Sequence, residues 1–220
     1  MSHAEAPAKE APTRSPVRRA TALALAALLS ALALVACAPS ARDETRPLVA
    51  IMNAPAQSAV RGAAEIVQDV LFADEGRTFD LVSSFTMRFL ESHTDLFHSQ
   101  AAPSAARIAR NQGADLAVMV GAPVLERDVS LSRDEASRRV DVSLALEAQV
   151  VDPETAAVVQ TLRTRTHQGS RVEANDVPLP DPSDDITVQA LLEDAAPELA
   201  RSLAAELPFL FRELLIDTGD

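Results

Sequence analysis

Several groups of side chains have types and spacings that could do chemistry. Glu91, His93, Asp95 and His98 fall in one turn-rich stretch and offer nitrogen and oxygen ligands of the kind that hold zinc. Their spacing matches no established pattern such as His-Glu-x-x-His, so they read as a solvated helix end. Asp181, Asp184 and Asp185 bring three carboxylates together, but Pro182 intervenes and neither the glycine nor the closing glutamate of a calcium loop is present. They read as an acidic exposed loop. Ser83, Ser84 and Ser170 could supply a nucleophile, yet none sits in a Gly-x-Ser-x-Gly elbow. Gly113 and Gly121 bound an apolar run with no lysine placed as a phosphate loop requires. Arg163, Arg165 and Arg171 flank His167 and could form a basic strip that accepts an acidic partner or a wall polymer. These patterns contain no nucleophile paired with a base and no convergent ligand set. The expectation is a chain that is no enzyme, with no catalytic residues, no metal and no cofactor.

The remaining reactive group is a lone thiol. Cys37 is the only cysteine, and it ends an uncharged apolar run, residues 20–36, that begins directly after Arg18 and Arg19. The last positions read Leu34-Val35-Ala36-Cys37. This closely resembles the lipobox of bacterial lipoproteins. The resemblance implies that the thiol receives a diacylglycerol, that the bond before Cys37 is cut, and that the new amino terminus is acylated. Seventeen helical residues span roughly 25 Å, short of the roughly 30 Å hydrocarbon core, so a secretory leader fits better than a permanent span. Residues 1–36 are thus expected to be a signal peptide, 37–46 a lipidated cysteine with a short tether, and 47–220 a single extracytoplasmic domain. In the lipoprotein family Asp after the cysteine favours inner-membrane retention. Ala38 stands here, so the expected location is the outer membrane, facing the periplasm.

Removing the leader leaves 16 arginines against 30 acids, a charge of −14. That disfavours nucleic acid and anionic membrane surfaces as partners. With no Trp or Tyr, stacking on sugars or bases has almost nothing to work with. A chain whose one cysteine is committed to lipid has no disulfide or thiolate metal site, so packing must hold the fold.

The elements that position these groups follow from periodicity. Residues 47–52 form a brief apolar run suited to a buried strand, and residues 57–72 carry Val60, Ala64, Val67 and Leu71 at helical spacing. A second short strand is expected at residues 79–82, with Ser83 or Ser84 capping a helix after it. Residues 104–111 read as a helix with Gly113 at its C′ position. Residues 113–121 are the clearest buried strand, followed by a more mixed segment at 122–131. From Val140 to Val150 apolar and polar positions alternate strictly, the mark of a half-buried antiparallel strand. Asp152-Pro153-Glu154-Thr155 is a turn, and residues 158–167 return as the second arm of a long hairpin. Residues 186–215 repeat apolar residues at helical intervals, with Pro197 and Pro208 expected to kink or divide the helix. The order implies an α/β (α+β) fold, a mixed sheet of five to six strands with helices packed on it.

The segment Ala-Arg-Ile-Ala-Arg-Asn-Gln-Gly-Ala-Asp, residues 106–115, runs into the strand ending at Gly121, and a hairpin with a Val-Asp-x-x-Thr turn follows. In this the chain resembles periplasmic lipoprotein activators of penicillin-binding proteins and the periplasmic domain of curli-secretion lipoproteins. Both share an anticodon-binding-like fold with the N-terminal domain of the Tol-Pal system's periplasmic protein. Residues 104–168 carry the match. Three departures matter. The activators have long tethers, whereas nine residues reach at most about 32 Å. Seven Phe with no Trp or Tyr do not furnish the aromatic girdles of a pore. The family's turn has Gly after Thr; here it is Ala156, and since positive φ costs a non-glycine residue about 1 kcal/mol or more, a different turn type is expected.

The resemblance, the anchor and the missing catalytic constellation together imply a non-enzymatic lipoprotein. Its domain would bind another envelope protein, in envelope assembly or regulation of wall synthesis, through Arg163, Arg165, His167 and Arg171. The alternative is a binder of a small ligand or wall fragment.

Overall fold

The computed structural model of the protein describes residues 45–54, 62–84, 86, 87, 101–133 and 135–217. All of them lie within one unit, Glu44–Asp220. The leader, Cys37, and Glu91, His93, Asp95 and His98 lie outside the described residues.

The sheet is mixed and six-stranded, with helices packed on it, as the periodicities imply. Strand β1 (Leu48–Asn53) pairs in parallel with the two-residue β2 (Asp80–Leu81) on one side and with β3 (Leu116–Leu131) on the other. Antiparallel to β3 runs β4 (Ser137–Val151). The far edge of β4 is shared by two strands in succession, β5 (Val158–Arg163) against residues 147–151 and β6 (His167–Ala174) against residues 137–144. The apolar phase of β4 faces the main core: Val140, Val142, Leu144, Leu146, Ala148 and Val150 are all buried there.

Helix α1 (Ala63–Ala73) and the long helix α3 (Ile186–Asp217) cover that face; α2 (Ala101–Asn111) covers the lower part of the other, over Ala117, Met119 and Val151. The Asn53 side chain, at the end of β1, accepts the Ala64 N–H and so caps α1 from the preceding strand. Helix α2 stops in a Schellman arrangement: the Ala114 N–H reaches the Ala109 carbonyl, the Gly113 N–H that of Arg110, and Gly113 takes φ 65°. Gly169 lets α3 approach β6, because a Cβ there would stand 2.9 Å from the Thr187 methyl.

Four expectations are corrected. The strand beginning at Leu116 does not stop at Gly121. It continues to Leu131 through a bulge between Gly121 and Val124, where Pro123, unable to donate to the ladder, is tolerated. The returning arm after the turn is not one strand but two, broken at residues 164–166. There the Thr164 hydroxyl accepts the Leu146 N–H in place of a ladder carbonyl. Of the two outcomes expected at Pro197 and Pro208, a kink or a division, division does not occur: α3 runs as one helix through both. Leu192, Leu199, Leu203 and Leu207 are fully buried around them, and that packing outweighs roughly 3 kcal/mol per proline. Finally, Ala156 does take positive φ, 59°. Asp152 fixes the turn: its carboxylate accepts the Glu154 and Thr155 N–H groups and the Thr155 hydroxyl, and the Ala156 N–H closes on its carbonyl. Ala156→Gly is therefore expected to raise stability by about 1 kcal/mol, read as a higher urea midpoint at unchanged slope.

Candidate functional site

A small cleft opens at the carboxyl end of β1. It is lined by Ile51, Asn53, Ala64, Glu65, Gln68, Ser84 and Met87 and has a cavity volume of about 10 Å³, far below the roughly 300 Å³ of a small-molecule pocket. Its polar groups are engaged: the Asn53 amide donates to Glu65, and the buried Gln68 amide donates to the Val82 carbonyl. Ser84 lines this cleft, while Ser170 lies on the opposite sheet face from His167, the one histidine among the described residues. Among the described residues no three His, Cys, Asp or Glu side chains converge to hold a metal.

The basic residues singled out by sequence are placed on both sides of the sheet. Arg163 pairs in register with Glu147, and His167 with Leu144. Four residues on one strand thus span three on the other, and this extra residue reverses the side-chain parity. Arg163 points away from the main core and is exposed, with no ion pair among the described residues. Arg165, His167 and Arg171 instead meet acids. Glu198 on α3 accepts the Arg165 backbone N–H at 2.9 Å, lies 3.4 Å from the Arg165 guanidinium, and approaches His167 Nε2 to 3.3 Å without hydrogen-bond alignment. That backbone bond holds the Glu198 carboxyl below its ordinary range, against the opposing effect of burial and helped by Arg165 and His167. A carboxyl depressed in the folded state stabilises the fold above its unfolded pKa and loses that contribution as pH falls through the folded one. Glu198→Gln is accordingly expected to lower stability at pH 7, with the gap to wild type closing below about pH 4, measured by urea unfolding across pH.

Arg171 belongs to a second cluster. Its Nη1 donates to Asp185 Oδ1 at 2.5 Å and its Nε to Glu173 at 2.9 Å; Glu173 also accepts two bonds from Arg138, which donates in addition to the Val177 carbonyl. Hydrogen bonds from Arg171 and then Arg138 hold the Glu173 carboxyl below its ordinary range. Asp185 does not belong to an exposed acidic loop: its side chain is completely buried, it caps α3 by accepting the Thr187 N–H, and its other oxygen stands 3.6 Å from Arg127 Nη1. Arg127 in turn donates to the Pro180 carbonyl. Sequence reasoning missed Arg127, Arg138, Glu173 and Glu198 as partners. The one available signal was parity, since Arg138 shares the phase of Val140 and Val142.

The arrangement thus clamps the start and middle of α3, and the strap at residues 175–185, onto β3, β4 and β6. Arg163 and part of Arg165 remain accessible for recognition. No family model and no curated protein matches the chain. Solved structures to which it is similar include a bacterial lipoprotein. The PelC dodecamer from Paraburkholderia phytofirmans aligns at 15% identity over 76% of this chain and 89% of that one, with a TM-score of 0.32. Lipoprotein GNA1162 from Neisseria meningitidis aligns at 10% identity over 71% of this chain and 99% of that one, also with a TM-score of 0.32. Likenesses at such scores bear no weight on what this chain does.

Proposed function

We propose that the protein is a non-enzymatic lipoprotein of the bacterial envelope, anchored through Cys37 to the outer membrane and facing the periplasm. Its domain binds another envelope protein, in envelope assembly or regulation of wall synthesis. The observation that carries this reading is the coincidence of the only cysteine with the last position of a lipobox-like run. The domain geometry supports it. From Val151 to Ser137 strand β4 extends about 46 Å away from the end where the chain enters the domain. At its far end Val129, Leu131, Val172, Val177, Leu179 and Ile186 are all exposed. Val129 and Leu131 share one face of the sheet there and Val172 lies on the other, and large exposed apolar side chains at a domain's tip support a role in interaction.

Crosslinking in living cells tests the reading, with wild type compared to Cys37→Ala and the attached proteins identified by mass spectrometry. A partner captured by the wild type and lost in the variant is expected. If no protein partner is recovered from solubilised envelopes, the reading fails.

A further inference from the structure

The end of the domain opposite that tip has a composition and a placement of its own. Arg46 fixes where the chain enters: its Nη2 donates to the Arg77 carbonyl at 2.8 Å and the Phe79 carbonyl at 3.2 Å, and stands 3.5 Å from Asp80. Strand β1 begins two residues later, beside the start of β3, where β4 ends through the pair Ala117 and Val151. Helix α1 runs back along β1 from the Asn53 cap, so its last turn closes at this same end, where the Asp80 N–H bonds the Pro47 carbonyl.

Helix α3 ends there as well. Thr187 and Leu191 lie against Gly169, and Glu198 lies at Arg165, so the helix advances toward the entry end as β6 and β5 are followed backward. Eighteen further residues, to Ile216, add about 27 Å, and the seven strand residues from Arg165 back to Val158 add about 23 Å. The final turns of α3 therefore stand level with Val158, beside Val151.

Several large apolar side chains are exposed at this end. Phe72 in the last turn of α1 is 67% accessible, Phe209 57% and Ile216 75%, with Leu215 and Val158 also exposed. Both exposed phenylalanines among the described residues are here. Phe209 and Ile216 are seven residues apart, two turns along one side of α3. The Arg77 guanidinium lies 5.0 Å above the Phe72 ring, carrying charge at the rim of an apolar surface. Asp74, Glu75 and Glu213 offset Arg77 and Arg212, so no net cation favours an anionic surface.

We propose that the last turns of α1 and α3 rest in the membrane surface, with Phe72, Phe209 and Ile216 among the lipid headgroups and the first carbons of the acyl chains. The inference rests on anchoring at Cys37. The tether of residues 38–46 reaches at most about 32 Å and leads to Arg46, so the end that carries these side chains is the one held beside the lipid. Among the described residues no helix is long and apolar enough to cross a membrane, so the contact is interfacial. A partner protein or a second copy could occupy such a surface too. The chain entry favours lipid, because it brings this end to a bilayer before any other molecule arrives.

The test uses the full lipidated protein in phosphatidylcholine vesicles. Lipid occupies the only native thiol, so one cysteine introduced by Phe209→Cys, Ile216→Cys or, as control at the tip, Ser130→Cys can be labelled with a fluorophore. Quenching by nitroxide-bearing lipids is then read. Loss of most of the fluorescence at positions 209 and 216, with none at 130, is expected. Unquenched labels at 209 and 216 on protein that floats with the vesicles overturn the lipid contact and leave the anchor standing. Shielding that appears only at high protein density assigns the surface to a second copy and equally overturns it. Protein that carries no lipid on Cys37 and does not float refutes the anchor, and this inference with it.

Discussion

Asp185→Ala is expected to destabilise the fold by about 3–5 kcal/mol, the cost of removing one partner from a buried ion pair. Two losses coincide at this residue. The Asp185 carboxylate is wholly enclosed between the strap and the sheet, and neutralises Arg171 at 2.5 Å with Arg127 3.6 Å away. Without it Arg171, itself mostly buried, keeps Glu173 as its only acid, while Glu173 also serves Arg138. The second loss is the cap of α3: the Thr187 N–H loses its acceptor, a change of about 1 kcal/mol. Asp185→Asn separates the two, because asparagine caps as well as aspartate but carries no charge. It should fall between wild type and alanine. The measurement is the urea midpoint followed by circular dichroism. An alanine variant within about 0.5 kcal/mol of wild type would show that the cluster does not hold the strap and helix in place.

How this cluster escaped notice in the sequence illustrates what pattern reading can reach. Strict alternation at 140–150 identified both strand β4 and its buried phase, and helical spacing identified α3, because those signals repeat over many residues. Gly113 announced the end of α2, since a left-handed position after a helix needs glycine. Single-residue events left no such trace. The excess residue between Arg163 and His167 exists only relative to β4, so nothing in the local composition distinguishes a continuous strand from one whose parity flips. The four basic residues consequently read as one strip, and they fold into an exposed Arg163, a Glu198 contact and a buried cluster. Asp185 was equally hidden. A loop of prolines and aspartates is ordinarily solvated, and only Arg127 and Arg171, arriving from β3 and β6, make burial of that carboxylate tolerable. Ala156 shows the converse: its local cost was legible, yet the bonds around Asp152 hold it at positive φ.

Cys37→Ala is expected to have the largest effect on where the protein resides, shifting it from the membrane fraction to the soluble periplasm. Each buried CH₂ of an acyl chain contributes about 0.8 kcal/mol, and one chain alone gives only reversible attachment, so stable anchoring needs at least two signals. A diacylglycerol with an N-acyl group exceeds that threshold, whereas the apolar side chains at the end of α1 and α3 could supply at most weak, reversible contact. Those side chains should therefore position the domain at the bilayer without holding it there, and Cys37→Ala should abolish sedimentation with membranes even though Phe72, Phe209 and Ile216 are intact. Fractionation of cells, with intact mass of the purified protein as the check on acylation, decides it. Retention on membranes of an alanine variant whose intact mass shows the leader removed would mean that the domain surface or a partner, and not the lipid, fixes its location. On the proposed anchoring this distinction has functional weight, because a tether of residues 38–46 would hold the domain within about 32 Å of the bilayer and so present its apolar tip at one restricted depth.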